Sequence, residues 1–99
     1  MSLQIEKTVA EATTLALAGR LDTSTAPELE AELDRLLPDT HQLIFDMQGL
    51  EYISSAGLRV ILKAQKVMNR QGSMKLIHVP EFVMEVFDVT GFVDFLTIQ

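Results

Sequence analysis

The stretch Leu50–Leu62, LEYISSAGLRVIL, decides how this chain folds. A short apolar run, Leu43–Phe45, comes before it and is followed by Asp46 and Gly49. This pattern predicts a buried strand that ends in a turn. Beyond it, apolar side chains recur with helical spacing at Leu58, Ile61, Leu62 and Met68. Ser54 and Ser55 are therefore expected at a strand–loop–helix junction.

This junction has chemistry of its own. The first N–H groups of an α-helix have no intrahelical acceptor, and a serine hydroxyl just before the helix can accept a hydrogen bond from one of them. The same N–H groups and the helix dipole favour a phosphate at this position. Capping explains one serine, but Tyr52, Ile53 and Arg59 crowd the same exposed corner, which indicates a regulated interaction site.

The N-terminal half is predicted to hold a hairpin and a helix. Residues 3–9 and 14–18 alternate between apolar and polar side chains, which predicts two antiparallel strands, and Gly19–Asp22 is expected to end the second. Thr25–Glu28 fits a capping box with proline in the first turn. An amphipathic helix follows and is expected to end at Pro38–Asp39.

The C-terminal half is predicted to alternate between strands and helices. His41–Met47 is expected to form the central strand, residues 56–70 the second helix and Met74–Val79 the next strand. Pro80 opens a third helix that Thr90–Gly91 stops. Residues 93–98 alternate weakly and suit either a last short strand or a packed tail.

The predicted fold class is α/β, with the order β-β-α-β-α-β-α and an optional last strand. Strand–helix–strand units with short loops imply right-handed crossovers between parallel strands. The sheet is therefore expected to be mixed, with the helices mainly on one face. One sheet accounts for the apolar faces of the helices, so we expect a monomer or a weak dimer.

Length and charge limit the classes of function. The 99 residues suit one domain, residues 1–99, and the 47% hydrophobic fraction is that of a globular protein. A net charge of −6 argues against nucleic acid or an anionic membrane as partner, because both would repel the chain. The sequence has no cysteine, no signal-like N-terminus and no long apolar run, so a cytoplasmic protein without membrane insertion is expected.

Catalysis is weakly supported. An esterase would need Ser55 as nucleophile with His41 or His78 as base, but the G-x-S-x-G motif is absent, and the two histidines fit ordinary polar positions at strand ends. The glycine and lysine spacing of a phosphate-binding loop is also missing. The acidic residues at positions 28–34 fit a solvated helix surface better than a metal site. We therefore expect no enzyme activity, cofactor or metal.

Three sequence blocks resemble the STAS domain of bacterial anti-sigma factor antagonists. They are Gly19–Asp22, the run from Asp46 through Tyr52–Leu62, and Val86–Phe92. The resemblance covers nearly the whole chain in the same order, and the combination of blocks is more specific than the serine–glycine–leucine motif alone. It implies a STAS-like α/β domain.

The resemblance also implies a partner switch. In that family the unphosphorylated antagonist binds an anti-sigma factor, which is also a serine kinase with a GHKL-type ATP site, and so frees the sigma factor. Phosphorylation of one serine at the start of a helix ends the binding, and a PP2C-type phosphatase restores it.

Alignment with the family on Gly57 places the phosphate acceptor at Ser55, with Ser54 where the family usually has aspartate and Ala56 at the second hydroxyl position. Asp22 matches a family aspartate in the loop near the phosphoserine. The implied partner-binding surface comprises Asp22, Thr23, Ser24, Tyr52, Ser54, Ser55, Ala56, Gly57 and Arg59.

Two other functions stay open at this stage. The same fold could serve as a STAS subunit of a membrane transporter or of a larger signalling assembly. A small nucleotide- or lipid-binding domain is the third possibility. The hydroxyl of Ser55 favours the switch, because a purely structural subunit does not need a hydroxyl there.

Overall fold

The computed structural model describes residues 2–99. Its strands are β1 (Leu3–Val9), β2 (Thr13–Leu21), β3 (Gln42–Ile53) and β4 (Ser73–Ile77), and its α-helices are α1 (Ala26–Leu36), α2 (Ser55–Gln71) and α3 (Glu81–Thr90). Two short 3-10 turns lie at Leu37–Asp39 and Phe92–Asp94. Within residues 2–99, no helix is long and apolar enough to cross a lipid bilayer. The predicted order of strands and helices is confirmed.

The four strands form one mixed sheet in the order β1-β2-β3-β4. β1 and β2 pair antiparallel, whereas β2 with β3 and β3 with β4 pair parallel. α1 and α2 make the two parallel crossovers in the same direction along the sheet, and right-handed crossovers place both helices on one face. The two helices contact each other over that face, as the sequence predicts.

The core lies between this face of the sheet and the helices. Alternate side chains of each strand point into it, as the two-residue period of a strand requires. The largest fully buried members are Leu15, Leu17, Leu21, Leu29, Leu43, Phe45, Met47, Ile61, Met68, Leu76, Val83 and Phe87. The opposite face of the sheet carries polar and small side chains such as Glu6, Ala16 and Gln48. One layer of helices is therefore enough to cover the apolar side.

The central strands are longer than predicted. β2 runs beyond the alternating residues 14–18 and ends at Leu21, inside the segment Gly19–Asp22 that was expected to end it, and β3 passes Gly49 and ends at Ile53. The register between β2 and β3 shifts next to Gly19 and next to Gly49, so the strand pairing accommodates both glycines. A Cβ on Gly49 would lie 2.9 Å from the Cβ of Ala18, so this glycine permits a close strand approach and does not make a turn.

Three other local features differ from the prediction. The prediction of a capping box is wrong, because Thr25 precedes α1 but its side chain makes no cap hydrogen bond to the helix. α2 begins at Ser55, one residue before the predicted start. β4 ends at Ile77 because His78 adopts a positive φ of 54°, which breaks the extended backbone.

The segment after α3 forms a packed tail with a single bridge to the sheet. Leu96 is buried, and Ile98 bridges in parallel to Leu76 of β4. The N–H of Leu76 donates to the carbonyl of Thr97, and the N–H of Gln99 donates to the carbonyl of Leu76, both at 2.9 Å. Of the two predicted forms, the packed tail fits better.

A first prediction concerns the two phenylalanines near the ends of α3. Phe87 is fully buried, whereas Phe82 is 39% exposed. We expect Phe87→Ala to lower the free energy of unfolding by about 3–5 kcal/mol, because it leaves a cavity in the core. The matched change Phe82→Ala should cost less than half as much. Urea titrations followed by circular dichroism measure both, and equal losses would contradict this placement of α3.

Candidate functional site

The turn between β3 and α2, residues 54–57, is called the serine turn below. Ser54 is the residue before the helix, and its Oγ accepts a hydrogen bond from the N–H of Gly57 at 3.3 Å. Its own N–H donates to the carbonyl of Leu21 at 2.9 Å, which joins the turn to the end of β2. The predicted serine cap is thus present and is made by Ser54.

Ser55 differs from its neighbour in both position and contacts. It is the first residue of α2 and is exposed, whereas Ser54 is half-buried. No side-chain hydrogen bond within residues 2–99 involves the Ser55 hydroxyl, which leaves it accessible from solvent. It also stands next to the helix N–H groups that have no intrahelical acceptor.

Gly57 is buried. A Cβ at this position would lie 2.5 Å from Cγ and 2.9 Å from the carbonyl oxygen of Leu21. Any side chain would push the first turn of α2 away from β2. Gly57 therefore positions the serine turn, and its part in the predicted partner-binding surface stays a prediction.

The loop from β2 to α1, residues 22–25, is called the aspartate loop. Asp22 Oδ1 accepts hydrogen bonds from Ser24 N–H at 3.0 Å, Ser24 Oγ at 2.8 Å and Thr25 N–H at 3.1 Å. The Ser24 hydroxyl is the main cause that holds the pKa of Asp22 below its usual value, while partial desolvation opposes it. Thr23 and Ser24 are exposed.

Thr25 is the buried anchor of the aspartate loop. Its side-chain oxygen donates to the carbonyl of Arg20 at 2.7 Å and accepts from the N–H of Asp22 at 2.8 Å. These contacts replace the helix cap that the sequence predicted. They fix the loop to the end of β2.

Arg20 connects the aspartate loop to Tyr52 near the end of β3, and it was not among the site residues predicted from the sequence. Its register partner across the parallel strands is Tyr52, and its guanidinium carbon lies 4.1 Å from the centroid of the Tyr52 ring. Its Nε lies 3.6 Å from Asp22 Oδ2. Arg20 precedes Asp22 in the sequence, but the contact with Tyr52 depends on strand pairing that periodicity does not reveal.

A shallow groove of about 220 Å³ between α1 and α2 brings three predicted site residues together. Thr23, Ala56 and Arg59 line it. Its far side holds an ion pair that was not predicted, with Lys63 Nζ 2.8 Å from Glu30 Oε2. The hydrogen bond that Lys63 donates to Glu30 raises the pKa of Lys63, which stays positively charged.

The histidines lie away from Ser55. His41 precedes β3, and its Nδ1 lies 3.2 Å from the carbonyl of Gln71. His78 follows β4, and its Nδ1 lies 3.0 Å from Asp46 Oδ1 in the first half of β3. Neither ring is hydrogen-bonded to a serine, which does not favour the esterase hypothesis. No group of three His, Asp or Glu side chains within residues 2–99 is close enough to hold a metal ion.

Comparison with known proteins identifies the family. Residues 3–99 match the STAS domain family, so the chain belongs to it. BtrV of Bordetella bronchiseptica, a candidate anti-sigma factor antagonist, is 38% identical over 78 residues, which are 77% of this chain and 67% of BtrV. The anti-sigma-B factor antagonist of Bacillus subtilis is 32% identical over 84 residues, which are 84% of this chain and 77% of that protein.

Solved structures share the fold. An anti-sigma factor antagonist from Mycobacterium paratuberculosis superposes with a TM-score of 0.91 at 17% identity, over 99% of this chain and 86% of that one. The Bacillus cell fate determinant SpoIIAA in its phosphorylated form gives a TM-score of 0.76 at 18% identity, over 99% and 91% of the two chains. The predicted STAS-like fold is confirmed.

A second prediction tests the aspartate loop. The hydrogen bonds to Asp22 favour its ionised form, so its folded-state pKa lies below the usual value of 3.8. The resulting stability is complete above that value and is lost as the pH falls through the lowered pKa. We expect Asp22→Ala to lower Tm clearly near neutral pH and progressively less below about pH 4.

Thermal unfolding followed by circular dichroism, from about pH 7 down to about pH 3, measures the gap between wild type and variant. Asp39→Ala is the control, because the exposed Asp39 carboxylate makes no hydrogen bond within residues 2–99. A gap for Asp22→Ala that does not change with pH would contradict the assigned role of the carboxylate.

Proposed function

We infer that this chain is an anti-sigma factor antagonist controlled by phosphorylation of Ser55. In its unmodified form it binds an anti-sigma factor that is also a serine kinase of the GHKL type, and so frees a sigma factor in the cytoplasm. Phosphorylation ends that binding, and a PP2C-type phosphatase reverses it. The chain acts as a single domain, a monomer or weak dimer, and as a binding switch and not an enzyme.

The observation that carries this proposal is the difference in contacts between Ser54 and Ser55. Ser54 caps α2 through its hydroxyl, so a phosphate on it would remove a contact that holds the fold. Ser55 is exposed and makes no side-chain hydrogen bond within residues 2–99. A kinase can therefore modify Ser55 without disturbing the serine turn.

The surroundings of Ser55 suit a phosphate that changes binding and leaves the fold intact. Phosphorylation adds about −1.5 to −2 charge at neutral pH. The helix N-terminus attracts that charge, and Arg59 stands one helical turn further along α2, where side chains at i and i+4 are neighbours. The modified chain is therefore expected to stay folded.

The same charge is unfavourable in a protein interface. A partner that covers the serine turn must remove water from the phosphate, and an unpaired buried charge is strongly disfavoured. A penalty of about 4 kcal/mol weakens binding roughly a thousandfold. Release of the kinase then needs no conformational change in the antagonist.

The exposed neighbours define the proposed contact surface. Thr23 and Ser24 of the aspartate loop are exposed, as is Arg59 of α2, and Tyr52 is 39% exposed. Asp22 supports this surface mainly by ordering its own loop. A pre-ordered loop binds with a smaller loss of entropy than a mobile one.

A third prediction tests the acceptor. We expect Ser55→Ala to bind its cognate anti-sigma kinase in the presence of ATP without being released, because no phosphate can be added. Ser55→Asp and Ser55→Glu should bind poorly, since each places negative charge on the interface. Isothermal titration measures the affinities, and peptide mass spectrometry after incubation with kinase and ATP locates the phosphate.

Ser54→Ala is the matched control. It should still accept phosphate at Ser55, with a loss of stability of about 0.5–2 kcal/mol because the cap of α2 is removed. Phosphate found on Ser54 with Ser55 unmodified would overturn the assignment. Equal affinity of Ser55→Ala and Ser55→Asp for the kinase would overturn the switch itself.

A further inference from the structure

A second groove, called the basic groove below, lies between α2 and the 3-10 turn after α3. It has a volume of about 570 Å³ and is lined by Arg59, Leu62, Lys63, Lys66, Phe92 and Phe95. Leu62 and Phe92 are half-buried and pack against the core, whereas Phe95 is 41% exposed. An apolar floor is thus open to solvent and is bordered on one side by cations.

The charge of this face is opposite to that of the whole chain. The net charge is −6. Yet α2 contains no acidic residue and carries four of the chain's eight lysines and arginines, which are Arg59, Lys63, Lys66 and Arg70. Lys63 is paired with Glu30, but Arg59 and Lys66 are exposed and make no salt bridge within residues 2–99. Their charge is available to a partner.

We propose that the basic groove binds an acidic amphipathic helix of a partner protein. The floor favours apolar anchors, because Phe95 and its neighbours would lose contact with water on binding. Leu62 and Lys66 stand one turn apart on α2, so anchors on successive turns of a bound helix would meet the floor and acidic side chains would meet the border. Charge complementarity then selects an acidic helix over a basic one.

A short helix suits this chain better than an extended polyanion. Nucleic acid or an anionic membrane would extend over neighbouring surface, where the net charge of −6 repels it. A helix that covers only the groove meets the local positive charge. The basic groove therefore suits a protein partner better than a nucleic acid or a membrane.

The basic groove is continuous with the proposed switch surface. Arg59 lines both this groove and the groove between α1 and α2, and it stands one helical turn from Ser55. A partner bound over the serine turn can therefore extend along α2 into the basic groove. The proposal goes beyond the switch, since binding to the basic groove does not require a phosphate or a kinase.

A fourth prediction tests the groove with a defined probe. The probe is a helix-stabilised peptide with leucine on successive turns and glutamate at the other positions, labelled for fluorescence anisotropy. We expect it to bind the wild-type chain, and Lys66→Glu or Phe95→Ala to weaken binding roughly tenfold or more. NMR titration should shift the amide signals of Leu62, Phe92 and Phe95.

Two controls make the test specific. Lys75→Glu changes the charge by the same amount on β4, away from the groove, and should leave peptide affinity nearly unchanged. A second peptide with lysine in place of every glutamate should not bind. Equal binding of the two peptides, or equal effects of Lys66→Glu and Lys75→Glu, would overturn the proposal.

A second copy of the chain is the competing occupant, because α3 presents acidic side chains beside the exposed Phe82 and Val89. If the acidic peptide does not bind and sedimentation detects self-association that Lys66→Glu abolishes, the groove is a self-interface and the proposal is wrong. Peptide binding by Ser55→Ala separates the two proposals, since that variant keeps the groove and loses the switch.

Discussion

The hydrogen bond from the N–H of Ser54 to the carbonyl of Leu21 is the contact on which the arrangement of the site depends. It joins the end of β3 to the end of β2 at the point where both strands leave the sheet. Gly57 completes the contact, because its missing side chain lets α2 begin directly against Leu21. Together they fix the distance between the serine turn and the aspartate loop, whose residues are far apart in sequence.

Sequence patterns predicted most of the fold and the place of the serines. Each helix has an apolar face with helical spacing, and the strands on either side of α2 are apolar runs, so these signals are local. The length of β3 could not be predicted in this way, since Gly49 resembles a turn residue until Ala18 is known to lie against it. Long-range register decides between the two interpretations.

The site shows the same limit. The serine cap follows from position alone, and Ser54 has the predicted contact. Thr25 has a residue type that favours capping, yet its hydroxyl binds Arg20 and Asp22 instead, because burial in the aspartate loop offers two backbone partners at once. The stacking of Arg20 on Tyr52 depends on parallel pairing and leaves no periodic signal. Family resemblance suggested Asp22 and Ser55 as site residues, but the contacts of their neighbours depend on the folded structure.

The tail beside β4 has a consequence for how the protein behaves at high concentration. An edge strand presents free backbone N–H and C=O groups, which can pair with another chain and start aggregation. Here Thr97 and Gln99 occupy both backbone groups of Leu76, in the middle region of β4. A foreign strand therefore cannot form a continuous ladder along this edge. The packed tail therefore protects the edge of β4 against irreversible strand exchange between copies of the chain.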